Sequence, residues 1–317
     1  MEMQIPQRNG LSRAIATRAR DVAKKERTIM SLESAIELIE SISDASVLFV
    51  GDTIIDEYHY VTPLGKSPKE NLVPVRYHSS ERFLGGVDAA AKHARDFCRL
   101  VSVESLSPAT RKLRMVDQDY VRKLFEIHYK DESVGPRARF MARYDCVVLA
   151  DFGHGEITSG NVSSFGDSRW LCVSAQTNSS NVGYNLITKY ARADYAVIDE
   201  PEARLAAADR DSPIEHVIEK LARGRFTKMV VTQGRHGACA WHDGRFAKRL
   251  AFTDAVVDTM GAGDAFFAIT APMSCTGSIE DLLLIGNAAG ALKTQIVGHR
   301  SSVTKAALIE FLRAHSA

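Results

Sequence analysis

Five cysteines in 317 residues, none spaced as C-x-x-C, argue against a disulfide framework or a zinc knuckle. The expected reading is reduced, mostly buried thiols in a cytoplasmic protein. No apolar run approaches the roughly 18 residues that a membrane-spanning helix needs. Lys+Arg is 40 and Asp+Glu is 39, a net charge of +1, so no global field draws the chain to nucleic acid or an anionic membrane. The N-terminus has no apolar h-region, which speaks against secretion. Internal repeats and low-complexity stretches are missing as well. So is G-x-x-x-x-G-K-[ST], which excludes a P-loop kinase. What is present is an ordinary globular composition, 45% hydrophobic and 25% charged.

Residues 1–28 are basic and polar, a pattern shared by a transit peptide and by a solvated, partly helical extension, the latter being the expected reading. From Ser31, which can cap a helix, Leu32, Ile36, Ile39 and Ile42 recur at helical spacing. Short apolar runs then mark strands buried on both faces: Val47–Val50, Cys146–Ala150, Trp170–Ser174, Tyr195–Ile198 and Met229–Thr232. Helices are expected over 87–97, 158–165, 183–192, 201–208 and 214–223. This alternation predicts an α/β fold with a mostly parallel sheet between two helical layers. Residues 58–83 and 110–130 read instead as extended flap segments.

The sharpest local signal is Asp258-Thr-Met-Gly-Ala-Gly-Asp264 running into a helix. Glycines admit a tight turn, and a helix start offers free N–H groups and the positive end of the dipole. Gly261, Ala262 and Gly263 are therefore an anion-hole candidate. Asp264 beside it could accept a proton from a hydroxyl. A plain loop with Asp264 as helix cap is the alternative. Phe266 and Phe267 read as core, and Pro272 should end or kink that helix. His93, His216, His236 and His299 show no metal spacing and are expected at the surface or in satisfied hydrogen bonds. Arg111, Lys112 and Arg114 suit either a sugar phosphate or a solvated strand face.

The 258–264 segment resembles the C-terminal signature of the ribokinase-like (PfkB) carbohydrate kinases, and further segments match in order. Val50-Gly-Asp-Thr-Ile-Ile-Asp56 looks like the family's first strand, and Gly85-Gly86 like its double-glycine signature. Asp151-Phe-Gly-His-Gly155 is similar to D-Y-x-K-G, and Asp199-Glu-Pro-Glu202 to N-x-x-E. Val231–Gly237 and Asn287-Ala-Ala-Gly-Ala resemble segments beside the nucleotide. Gly51-Asp-Thr-Ile-Ile-Asp-Glu-Tyr and Ser67-Pro-Lys-Glu-Asn-Leu-Val-Pro-Val lie closest to the kinase half of ADP-heptose synthesis enzymes.

The resemblance implies a ribokinase-like three-layer α/β/α sandwich with a small β lid. It implies an extension over 1–45, a kinase domain over 46–317, and transfer of the ATP γ-phosphate to a sugar or sugar phosphate. Asp264 would be the base. Asp56, Gly85, Gly86 and Asp151 would hold substrate. Thr232, Gly234, Gly237 and Asn287 would flank nucleotide, and Glu202 and Asp199 would serve Mg2+. A homodimer through the lid, using Tyr58, Tyr60 and Tyr77, is a further implication. The sequence departs from the family at Ala89, usually Asn, at Asp199, usually Asn, and at His154, usually Lys. The interval from Cys98 to Thr110 is also short by roughly one βαβ unit. These departures leave open a catalytically impaired protein of the same fold that binds nucleotide or sugar.

Overall fold

Strand β1 (Ser46–Gly51) is buried at every position and lies inside the sheet, paired in parallel with β7 on one side and β4 on the other. The computed structural model describes residues 31–105, 107, 109–120, 122–129, 143–179, 181–252 and 256–315. The basic segment 1–28 lies outside them. The main sheet runs β12-β11-β10-β9-β8-β7-β1-β4. Its strands are β4 (Leu100–Glu104), β7 (Cys146–Asp151), β8 (Leu171–Ala175), β9 (Ala193–Asp199), β10 (Phe226–Thr232), β11 (Ala238–His242) and β12 (Arg245–Arg249). Strands β4, β1, β7, β8, β9 and β10 are parallel, and β11 and β12 close the far edge antiparallel.

Alternation along each strand feeds two cores. Val47 and Phe49 pack with α1 (31–41), α2 (Val87–Ala94), α5 (Ala262–Met273), α6 (Ile279–Thr294) and α7 (Lys305–His315). Leu48 and Val50 pack with α3 (Glu200–Ala207) and α4 (Ile214–Ala222). This is the expected three-layer sandwich. Helix α5 is buried all round from Ala265 to Met273, as a central helix must be, and it ends one residue past Pro272. Gly286 of α6 lets α5 approach, because a Cβ there would sit 2.4 Å from the Phe266 ring.

After β1 only Asp52 intervenes before the chain enters a second sheet, ordered β3-β2-β5-β6. It consists of β2 (Thr53–Pro63), β3 (Val75–Gly86), β5 (Thr110–Asp117) and β6 (Arg122–Tyr129). This is the expected lid. The short interval after Cys98 holds one strand, β4, which the sequence pattern did not disclose and which forms the sheet edge.

Two expected helices are absent. Residues 158–165 hold only a 3-10 turn at Val162–Phe165, and 183–192 only one at Ile187–Lys189. In the first, Asn161 accepts the Thr158 amide through its side chain and donates to the Glu156 carbonyl. In the second, Asn185 donates to the carbonyls of Asp151 and Gln176. Such side chains compete with helical hydrogen bonds. No helix among the described residues is long and apolar enough to cross a membrane.

Candidate active site

A cleft of about 1080 Å³ opens at the carboxyl ends of β8, β9 and β10, where open parallel sheets gather ligands. Gly261, Ala262, Gly263 and Asp264 line one wall. Thr232, Gly234, Gly237 and Asn287, expected around a nucleotide, line it too, with Asp199 and Glu202.

Gly261 caps α5 in the left-handed region at φ 76°, which favours glycine. It turns the chain so that Ala262, Gly263 and Asp264 form the first helical turn. Their amide hydrogens precede any intrahelical acceptor, but that of Ala262, expected in the anion hole, donates to the Thr259 carbonyl at 3.4 Å, which leaves the Gly263 and Asp264 amides for an anion. Gly263 lines the cleft, and a Cβ built on it meets nothing within 4 Å, so the space beside this first turn is open. Asp264 Oδ1 accepts a hydrogen bond from Gln176 Nε2 at 2.5 Å. Burial raises the Asp264 carboxyl above the ordinary carboxylate range, against His299, Gln176 and Lys293.

Asp56 stands on lid strand β2, 3% exposed. It is ion-paired to Arg114 and sits 3.2 Å from His299 Nε2. Burial acts to raise its carboxyl, but His299 and Arg114 together carry it below the usual value. A Cβ on Gly85 would strike Asp56 Oδ2 at 2.4 Å and approach His299 Nε2 to 3.3 Å. Gly86, left-handed at φ 61°, has no room for a side chain beside the Asp52 carbonyl. His299 thus links the lid carboxylate to the Asp264 wall. Tyr58 reaches the same wall, donating to Met260 Sδ at 3.3 Å.

Lys112 pairs across from Asp56 on the lid and is 8% exposed, yet among the described residues its ammonium makes no hydrogen bond or ion pair. Burial lowers its pKa. Arg114 and Lys112 therefore face inward, whereas Arg111 turns out to Glu57 and Tyr129.

Asp151 is placed elsewhere. Buried at the end of β7, it is ion-paired to Lys189 and accepts from Tyr190 Oη at 2.8 Å and Asn185 Nδ2 at 3.1 Å. It does not line the cleft. Asp199 and Glu202 form a reciprocal capping box at α3: Asp199 Oδ1 accepts the Glu202 amide at 2.8 Å, and Glu202 Oε2 the Asp199 amide at 2.9 Å. Glu202 Oε1 takes the Thr177 amide. Burial, then the Asp199 charge, pushes Glu202 up to about 7.

The structure adds Gln176, His299, Arg114 and Lys293 to the residues expected around the site. Gln176 follows the end of β8, a position the strand-end rule marks. Lys293 continues the buried α6 face of Ile285 and Ala289 at a spacing of four.

Comparison with known proteins gives the same picture. The solved ribokinase from Thermotoga maritima matches over 85% of this chain and 99% of its own, with 17% identity and a TM-score of 0.65. Ribokinase from Arabidopsis thaliana complexed with ribose and ATP matches over 85% and 99%, with 15% identity and a TM-score of 0.64. Phosphofructokinase-2 from Escherichia coli with substrates and products matches over 86% and 100%, with 12% identity and a TM-score of 0.63. The fold is ribokinase-like. Residues 178–306 of this ribokinase-like chain match the model of the pfkB family of carbohydrate kinases. A 2-dehydro-3-deoxygalactonokinase from Haloferax volcanii is 32% identical over 117 residues. That match spans 36% of this chain and 36% of the relative's length.

Proposed function

We propose that the protein is an ATP-dependent carbohydrate kinase that transfers the γ-phosphoryl group to a hydroxyl of a sugar or sugar phosphate. The observation that carries this reading is Asp264 beside the open first-turn amides of α5, on a cleft that also gathers Thr232, Gly234, Gly237 and Asn287. Asp264 takes the proton of the acceptor hydroxyl. The Gly263 and Asp264 amides, with the α5 dipole, stabilise charge on the phosphoryl group in flight. Asp56 and His299 hold the acceptor from the lid side, next to Gly85 and Gly86, and the lid keeps bulk water from competing as acceptor.

Mg2+ fits the donor set through water. Asp199 and Glu202 supply carboxylate oxygens on the cleft, but each already accepts a backbone amide, which suits a hydrated ion rather than direct chelation. When bound, the ion neutralises phosphate charge. Lys112 supports an anionic acceptor, for which a heptose phosphate is one case. Residues 46–317 make the catalytic unit, with 1–45 an extension whose helix α1 packs on it. Pairing of two copies through the lid is supported by exposed Tyr77, Phe125 and Ile127; of the other tyrosines expected there, Tyr60 is half-buried and Tyr58 is buried, its hydroxyl turned inward to Met260, so Tyr58 cannot serve that face. The five unpaired cysteines suit a reducing, cytoplasmic setting.

A second reading is a protein of this fold that binds without transferring phosphate. It is favoured by the closure of the site on itself: Asp264 bonded to Gln176, and Asp56 clamped by Arg114 and His299. ATP consumption over a panel of sugars, 2-dehydro-3-deoxy sugar acids and sugar phosphates separates the two. Turnover with one acceptor supports the kinase; nucleotide or sugar binding without turnover supports the second reading.

A further inference from the structure

Lys293 is 0% exposed, on the inner face of α6. An ammonium placed there is costly unless its hydrogens are met. Three backbone carbonyls meet them: Met260 O at 2.8 Å, Gly298 O at 2.9 Å and Ile296 O at 3.3 Å. Three acceptors need three N–H donors, and only the charged form of lysine has three. A neutral amine would leave one carbonyl facing a lone pair. Asp258 lies beside the charge and closes the same two loops from the acceptor side, taking the Met260 amide at 3.0 Å and the Gly298 amide at 2.9 Å. Lys293 and Asp258 therefore staple segment 258–260 to segment 296–298.

The staple lies directly behind the anion hole. A Cβ on Gly261 would come within 3.3 Å of Lys293 Cε and 3.7 Å of Nζ. Gly261 is the left-handed residue that aims the first amides of α5 into the cleft.

We propose that Lys293 is a tethered monovalent cation, a positioning residue that fixes the anion-hole loop and puts positive charge behind it. The cage of carbonyl oxygens beside a carboxylate has the donor chemistry of a site for a free monovalent cation. Here the chain supplies the cation itself, so the loop is preorganised without an ion from solution. Only the link from the loop to turnover rests on the kinase reading; the cage does not.

The test is Lys293→Met, whose side chain ends one atom short of the ammonium, so that it keeps the apolar stem, removes the charge and leaves the carbonyl cage open to an ion. Wild-type melting temperature and turnover should stay unchanged when choline is exchanged for potassium or ammonium at constant ionic strength. The variant, folded by circular dichroism, should lose on the order of tenfold to a hundredfold in kcat in choline, less than loss of a direct oxyanion donor at its upper range. Potassium or ammonium should restore part of that loss and raise the variant's melting temperature above its value in choline. Three results would overturn the proposal: a wild type that itself requires potassium, a folded variant with unchanged kcat, or a variant whose melting temperature ignores both ions. The ion-dependent melting needs no substrate. A wild type with no turnover on any acceptor would thus count against the kinase reading, while melting still decides the role of Lys293.

Discussion

Gln176 Nε2 donates to Asp264 Oδ1 at 2.5 Å, so the carboxylate proposed to accept a proton is aimed by a neutral side chain that directly follows the end of β8. The bond favours the charged form, while burial disfavours it and dominates. Activity that depends on Asp264 as base should therefore rise with pH through a carboxyl pKa above the ordinary aspartate value of 3.8. Gln176→Leu removes the counterweight. Its acid limb in a profile of kcat/KM against pH should move to higher pH, with most of the rate regained at the alkaline end. An unmoved limb would show that Gln176 does not tune Asp264.

Arg114 and Asp56 form a nearly buried pair, with side chains 10% and 5% exposed. Removing one partner of such a pair costs about 3–5 kcal/mol. Arg114→Met should lower unfolding stability toward the small end of that range, because His299 remains beside Asp56. Since the folded-state pKa of Asp56 is depressed, its stabilisation is complete above the unfolded value of about 4 and is lost as pH falls through the depressed value. Urea unfolding of Asp56→Asn should accordingly show a weaker loss of stability below pH 4 than wild type.

Glu202 carries the opposite sign. Its folded pKa of about 7 exceeds the ordinary glutamate value of 4.5, so the folded state binds the extra proton between those values. Stability contributed by that proton is present below about 4.5 and lost as pH rises to about 7. In Glu202→Gln, which keeps an acceptor for the capping box, melting temperature should vary less with pH over this window. An unchanged pH slope would contradict the assignment.

Gly286→Ala places a methyl against the Phe266 ring, with built contacts of 2.4–2.6 Å. Overpacking of this kind costs about 1–3 kcal/mol. Combining it with Phe266→Leu should recover part of the loss, a coupling that a double-mutant cycle in urea measures directly.

The cleft wall that carries Gly261 to Asp264 was legible in the sequence because its residues sit in contiguous stretches with strong backbone demands. Gly261 to Asp264 needs a left-handed turn and a helix start, and Thr232 to Gly237 follows a buried strand. The lid side around Asp56 was much less legible. Arg111-Lys112-Leu113-Arg114 suggests a wet face, yet Leu113 and Arg114 are 6% and 8% exposed on opposite faces of β5. Only the pairing register, which sets Lys112 across from Asp56, shows which cations turn inward. His299 had no partner at recognisable spacing, since Asp56 is far away in the chain. The lost helices at 158–165 and 183–192 fell to Asn161 and Asn185, whose side chains took backbone partners that apolar periodicity does not register.

The central claim is that Asp264 abstracts a proton from a carbohydrate hydroxyl beside the α5 amides. The most direct measurement is ATP turnover by wild type and Asp264→Asn with whichever acceptor the panel identifies, nucleotide affinity being followed in parallel. A fall in kcat of roughly 10²–10⁴, with the fold intact and the nucleotide still bound, is the predicted result. Equal kcat in the two proteins would contradict the account.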